Sequence, residues 1–210
     1  MDIAVIGRLL QPFASLDSMR LRDISTYIDL LLKWNARVNL TAVRDPEQIV
    51  TRHFGESFFA ASIIQDRAAP RSVIDLGSGA GFPGIPVAMF MPDAKVTLIE
   101  ANQKKSTFLK EVIFALQLKN VQVFGGRAEG YSGNGDAVTA RAVEKFDETL
   151  PVAIGLAVPG GLVAAMIGTS QVGRAKALGK TVEWDEPVSI PQSLERIVLL
   201  GIKKVTVERE

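Results

Sequence analysis

Val73-Ile74-Asp75-Leu76-Gly77-Ser78-Gly79-Ala80-Gly81-Phe82-Pro83-Gly84 is the stretch whose reading decides the fold. Ser72-Val73-Ile74-Asp75-Leu76 has the composition of a short buried strand. Glycines at 77, 79 and 81 then let the backbone turn sharply and come close to a ligand. Pro83 opens a short helix over Ile85 to Met91. In an open α/β sheet a turn of this kind lies beyond the carboxyl end of a strand, where strand order reverses and ligands bind.

Working outward, the pattern repeats. Strands are expected at Lys95 to Ile99, Val121 to Phe124, Asp136 to Ala140 and Leu162 to Ile167, with helices at Gln103 to Leu118 and Phe146 to Val158. Short strands alternating with helices predict a mostly parallel sheet covered on both faces. Val182 to Val188 and Arg196 to Val207, joined through Pro191, predict a closing antiparallel hairpin. Upstream, Leu16, Met19, Leu21, Ile24, Ile28, Leu31 and Leu32 recur at helical spacing between Ser15 and Val38. Asp45-Pro46-Glu47 supplies an N-cap, a proline at the first helical position and an acid in the first turn of a helix running to about Ile64. The chain therefore divides into a helical cap at 1–70 and an α/β domain at 71–210, with Ala68-Ala69-Pro70 as connector.

Composition narrows the function. The 210 residues carry 24 Lys and Arg against 23 Asp and Glu, a net charge of +1, so a histone-like uniformly basic surface is excluded. With 47% hydrophobic residues there is ample apolar surface for a core, and a natively disordered chain is excluded. The absence of cysteine excludes disulfides, thiolate zinc sites and cysteine nucleophiles. The N-terminal MDIAVIGRLLQPF has the wrong charge order for a secretory signal. The uncharged run Thr149 to Gly173 is divided by Pro159-Gly160-Gly161 into a buried helix, a turn and a buried strand rather than a membrane span. A cytoplasmic protein with no membrane partner is expected.

The glycine turn fits a nucleotide-type ligand. Gly79-x-Gly81-x-x-Gly84 satisfies the dinucleotide fingerprint, and Glu100 ends the second strand 21 residues after Gly79, where an acid can bind ribose hydroxyls. On this alone NAD and S-adenosylmethionine are not separated. Asp75, two residues before Gly77, favours the second. A carboxylate there can organise the loop and reach an amino-acid end of the ligand, whereas a pyrophosphate would be repelled. With the closing hairpin, these features resemble class I S-adenosylmethionine-dependent methyltransferases from about Arg71 onward. That likeness names no substrate.

Other segments are more specific. Trp34-Asn35-Ala36-Arg37-Val38-Asn39-Leu40-Thr41, the Arg52-His53 pair, Gly81-Phe82-Pro83-Gly84-Ile85-Pro86, Arg127-Ala128-Glu129 and Arg141-Ala142 together resemble the bacterial small-subunit ribosomal RNA guanine-N7 methyltransferases, also called glucose-inhibited division protein B. The resemblance covers about Trp34 to Arg196. It implies methyl transfer from S-adenosylmethionine to a guanine N7 in 16S rRNA of the small subunit, at nucleotide 527 in standard bacterial numbering. The cofactor positions it implies include Gly77, Phe82 and Glu100, then Ala128-Glu129 near the adenine, and Arg141 beside the reaction pocket as the catalytic candidate. Asp75, Ser78, Gly79, Gly81 and Ala101 complete the expected cofactor set. The chain departs from the family pattern twice. Ile167 stands before Gly168 where a lysine is frequent, and Ile197 follows Arg196 where a histidine is frequent.

The chemistry is compatible. Guanine N7 has an available lone pair, so it needs no deprotonation, and catalysis reduces largely to positioning. Thr139-Ala140-Arg141-Ala142-Val143 lacks the Asn/Asp-Pro-Pro-aromatic motif usual for amine methylation in this fold. Arg127, Lys104, Lys105 and Arg196 are the candidate RNA contacts. His53, the sole histidine, reads better as a structural residue than as a base, and Trp34 as a core contact rather than a base-stacking platform. Asn35 and Asn39, four apart, either tie the helix end down or face RNA. No carboxylate–histidine cluster has metal-ligand spacing, and a monomer is expected. The alternatives are an NAD(P)-linked oxidoreductase and a non-catalytic RNA-binding assembly factor. Gly79→Val is expected to abolish S-adenosylmethionine binding in a protein that still folds, which calorimetry checks.

Overall fold

The computed structural model describes residues 1–141 and 146–205; Ala142, Val143 and Val207, each used in the sequence reading, lie outside the described residues. The strands β1 (Ser72–Leu76), β2 (Lys95–Ile99) and β3 (Val121–Phe124) have the expected bounds. β4 (Gly135–Arg141) and β5 (Ala157–Gly168) run longer than expected. β6 (Val182–Trp184), β7 (Val188–Ser189) and β8 (Arg196–Lys203) follow. The sheet order is β3-β2-β1-β4-β5-β8-β6, with β7 also paired to β8. Strands β1 to β5 pair in parallel, and β8 is antiparallel to β5, β6 and β7. Chain order reverses between β1 and β4, which places the glycine turn at the switch point.

The closing segment is more than a hairpin added to an edge. β8 inserts between β5 and β6, because its run Ile197-Val198-Leu199-Leu200 is apolar on both faces and suits an interior strand. The first arm, expected as one strand from Val182 to Val188, is split by Asp185-Glu186-Pro187 into β6 and β7. In β5 the residues between Ala157 and Leu162 bulge out. Gly135 pairs with Ala157 and Ala137 with Leu162, so Pro159, Gly160 and Gly161 are accommodated without ending the strand. Among the described residues no helix is long and apolar enough to cross a membrane.

Alternation along the strands sends side chains to two cores. Val73, Val96, Leu98, Ala164 and Val198 face one side, and Ile74, Ile99, Val163, Ala165 and Leu199 the other. The first side is covered by α1 (Ile3–Leu10), α2 (Ser18–Asn35), α4 (Glu56–Ala68), α5 (Gly84–Phe90) and α6 (Gln103–Ala115). The second is covered by α7 (Phe146–Leu156) and α8 (Val172–Leu178). The N-terminal helices thus share a core with one face of the sheet.

In α2, Asp17 caps the N-terminus by accepting from Arg20 N. Ile24, Tyr27, Ile28, Leu31 and Asn35 form its buried stripe, while Met19 is exposed and not part of it. The helix stops at Asn35, so Asn39 is not on its face. Buried Asn35 folds the exit back by donating to Thr41 O (2.9 Å) and accepting from Leu40 N (2.8 Å). Trp34 Nε1 donates to Glu111 on α6 (2.9 Å), so this tryptophan joins α2 to the sheet half.

The helix capped by Asp45 changes its winding in mid-course. A short α3 (Pro46–Gln48) passes into a π-helical stretch, Ile49–Gly55, before α4 resumes and runs to Ala68. Left-handed Ala69, with φ of 42°, ends it ahead of Pro70. Wide turns of this kind occur often at functional sites, and apolar periodicity over so short a stretch does not reveal one.

One contact joins α2 to the glycine turn. The fully buried Tyr27 donates its hydroxyl to Ala80 O (2.5 Å), its ring stacked on Phe82 at 5.4 Å and edge-on to Phe54 at 5.1 Å. Tyr27→Phe keeps the packing and orphans a buried carbonyl, so it is expected to cost about 1–2 kcal/mol, read as a lower urea midpoint at unchanged slope.

Candidate active site

The glycine turn hangs from the end of β2, with Gly77 N and Ser78 N both donating to Ile99 O (3.0 and 3.1 Å). Gly81, with φ of +89°, has no room for a side chain, since a Cβ there would lie 2.2 Å from Tyr27 Oη. Gly79, with φ of +57°, is different: a Cβ there meets only Gly77 O at 3.8 Å, so the turn presents bare backbone to open space. Buried Glu100 accepts from Gly79 N (2.8 Å) and from Asn102 N (2.7 Å), fixing the turn and leaving lone pairs on both oxygens for hydroxyl donors.

Asp75 is beneath the turn, not at its surface. It accepts from Thr139 Oγ1 (2.7 Å) and Gly84 N (3.2 Å) and is 1% exposed. Burial raises its pKa from 3.8 to about 6, against the lowering effect of these bonds and of Arg141. Of the two roles expected for it, the geometry supports organising the loop; the side chain does not line the cleft.

Beyond the turn opens a cleft of about 680 Å³. Gly77, Gly79, Ala80, Phe82, Glu100 and Lys105 form one wall; Leu40, Thr41, Arg52, His53 and Glu56 form a second; Arg141, Met166, Ile167, Gly168, Gln171, Ile190 and Arg196 line the remainder with Thr149. The expected residues Gly77, Gly79, Phe82, Glu100, Lys105, Arg141 and Arg196 are therefore brought together. Ser78 and Gly81 are buried in the turn behind the wall. Ala101 and Lys104 are exposed at the start of α6, where Asn102 caps the helix. Arg127, Ala128 and Glu129 lie on and just before a 3₁₀ turn after β3 and do not line the cleft.

Glu56 is the principal residue that sequence reasoning missed. It is 2% exposed and accepts from Arg141 Nη2 (3.0 Å) on one oxygen and Arg196 Nε (2.8 Å) on the other. Arg141 also donates to Arg52 O and reaches Ser57 Oγ at 3.4 Å. The available signal was a lone carboxylate inside Phe54-Gly55-Glu56-Ser57-Phe58-Phe59, since an acid in so apolar a run implies a buried partner. Ile167 and Ile197, the two departures from the family pattern, are direct cross-strand partners on β5 and β8. They form one apolar pair, of which Ile167 lines the cleft and Ile197 is buried in the core behind it.

His53 stacks on Phe82 at 4.9 Å, with Nε2 at 2.8 Å from Thr41 Oγ1. Burial, then the charges of Arg141 and Arg52, lowers its pKa from 6.5 to about 3, so it is neutral at physiological pH. Its Nδ1 is buried without a hydrogen-bond partner among the described residues.

The family model for rRNA small subunit methyltransferase G matches residues 20–196. The chain is 39% identical over 203 residues to a Roseiflexus protein named ribosomal RNA small subunit methyltransferase G, covering 90% of this chain and 86% of that one. It is 38% identical over 195 residues to a Stenotrophomonas maltophilia protein of the same name, covering 90% of each. In fold it is similar to a SAM-dependent methyltransferase from Aquifex aeolicus, with a TM-score of 0.60 at 16% identity, covering 79% of this chain and 97% of that one.

The buried His53 generates a stability prediction. Its depressed pKa contributes stability that is present above pH 6.5 and lost as pH falls toward 3; raised Asp75 acts oppositely, contributing below pH 3.8 and losing it as pH rises through 6. His53→Gln removes the first contribution and leaves the second. Between pH 7 and pH 5 the wild type is expected to lose about 2 kcal/mol more than the variant, measured by urea unfolding at each pH.

Proposed function

The chain belongs to the rRNA small subunit methyltransferase G family, and from that premise we propose that its cleft methylates N7 of a guanine in 16S rRNA, at nucleotide 527 in standard bacterial numbering. Transfer of a methyl group from S-adenosylmethionine to 16S rRNA is the activity of the family, and the oxidoreductase alternative falls with that membership. The observation that carries the finer reading is the placement of Arg141, held by Glu56, on the same cleft as the glycine turn fixed by Glu100.

The residues present suit S-adenosylmethionine. Gly79 offers backbone where any side chain would intrude, and Glu100 keeps acceptor capacity for ribose hydroxyls. When bound, the cofactor supplies a methyl on a sulfonium sulfur, which departs as a thioether as the N7 lone pair takes the methyl. Gly77, Gly79 and Phe82 would seat it, with Ala128 and Glu129 toward the adenine and Arg141 at the reacting end. His53 is neutral and needs no proton to move, as N7 alkylation requires none. Arg141 orients the reacting end, and the gain is chiefly that of alignment.

In this reading residues 1–70 are a helical cap on the methyltransferase domain, and the enzyme is a cytoplasmic monomer acting on the small subunit. Arg196 and Lys105 at the mouth, with Lys104 and Arg127 beyond it, would contact phosphate. A net charge of +1 keeps that number small, so recognition rests on the shape of the target loop. With about two to four phosphates contacted, log affinity should fall with log salt at a slope of about −1.4 to −2.8.

The test is labelled-methyl transfer, with mapping of the modified nucleotide. Initial rates on unmodified small subunits are expected to exceed those on a naked loop fragment at matched salt, with Arg127→Ala reducing turnover more than cofactor affinity and Arg141→Ala reducing both. Equal rates on subunits and fragment would refute shape recognition. Tight cofactor binding with no label in RNA would favour a non-catalytic assembly factor.

A further inference from the structure

One carboxylate serves two arginines at the cleft. Each oxygen of Glu56 takes a different guanidinium, Arg141 at 3.0 Å and Arg196 at 2.8 Å, and the carboxylate is buried, its side chain 3% exposed. The cluster carries one negative and two positive charges, so an excess positive charge remains at the mouth for an anion to meet. The two arginines differ in access. Arg141 is enclosed, with 14% of its side chain exposed, and its terminal nitrogens engage Glu56, Ser57 Oγ and Arg52 O. Arg196 is 39% exposed, and among the described residues its side chain donates only through Nε, which leaves both terminal nitrogens to solvent.

We propose that Glu56 is a positioning residue that couples rRNA engagement at Arg196 to the geometry of Arg141. A phosphate drawn to the terminal nitrogens of Arg196 withdraws that guanidinium, wholly or in part, from the shared carboxylate. Glu56 then pairs more fully with Arg141, and the enclosed guanidinium is held more tightly in the methyl-donor pocket. Coupling of this kind is reciprocal, so bound cofactor tightens rRNA binding by the same factor. The consequence is that the donor pocket is completed when RNA is present. This rests on the reading that Arg196 contacts rRNA and Arg141 borders the cofactor.

The experiment measures binding of labelled S-adenosylhomocysteine, the demethylated cofactor product, by equilibrium dialysis with and without saturating unmodified small subunits. In the wild type, subunits are expected to tighten binding by about 5-fold or more, the lower end of ordinary allosteric coupling. Arg196→Ala leaves Glu56 paired with Arg141. It should bind the product about 5-fold or more tightly than the free wild type, matching the subunit-bound wild type, so that the subunit-dependent gain disappears at saturating subunits. Glu56→Gln retains one acceptor for two guanidiniums and should lose the gain as well. A purely structural role for Glu56 would instead weaken both ligands and leave their ratio intact. If Glu56→Gln fails to fold, the Arg196→Ala ratio decides alone. Coupling that survives Arg196→Ala, or a wild-type ratio near 1 in an enzyme that methylates subunits, overturns the proposal. A wild type that transfers no methyl to subunits overturns the functional reading instead.

Discussion

The buried hydroxyl of Tyr27 is the constraint on which the cleft depends. It joins α2 to the glycine turn through Ala80 O, in a region where an unmade hydrogen bond has no water to replace it. Burial, and then the negative charge of Asp75, holds its pKa well above the ordinary value, so it remains a donor at every pH the protein meets. The turn in turn accommodates it, since Gly81 leaves the space that the oxygen fills. Phe82 extends the contact by stacking between Tyr27 and His53, and His53 reaches Thr41. A chain of packed rings therefore runs from the core of α2 to the cleft wall, and the glycine turn takes its shape from a helix remote in sequence.

The electrostatics follow the same economy. Three buried carboxylates at the site each hold two things together. Asp75 joins the exit of the turn to β4, Glu100 joins its middle to the start of α6, and Glu56 joins two arginines across the cleft. Each makes hydrogen bonds that offset the cost of burial. The site is thus built by acids that hold neighbouring groups in place, while the cations and bare backbone face the opening.

Much of this was legible in sequence because local signals agreed with the global fold. The glycine turn, the first three strands and the Asp45 cap each combine a periodicity with a stop or start residue, and their bounds emerge close to expectation. What was not legible depended on contacts distant in the chain. Tyr27 lies among the apolar residues of α2, and nothing local marks its hydroxyl as a ligand of residue 80. The π-helical stretch changes register without changing composition. The apolar run around Glu56 implies a buried partner, but nothing local names Arg141 and Arg196, 85 and 140 residues away, as the groups on its two oxygens. The insertion of β8 is likewise a long-range outcome: its apolar run suits an interior strand, but nothing local says that β5 and β6 flank it. The loop-organising role of Asp75 is legible from its position before the glycines, but its partner Thr139, 64 residues away, is not.

The position of β8 has a consequence during protein synthesis. It is the last described strand to leave the ribosome, yet it lies between two strands that precede it in the chain. Until it arrives, β5 has an open edge along Leu162 to Ile167, an apolar run of the kind that pairs promiscuously. The cleft also waits, because Arg196 and Ile190 belong to this final stretch. A nascent chain thus assembles its glycine turn and N-terminal helices early but lacks a finished cleft until β8 has been made. A product truncated before β8 would be both inactive and exposed to aggregation.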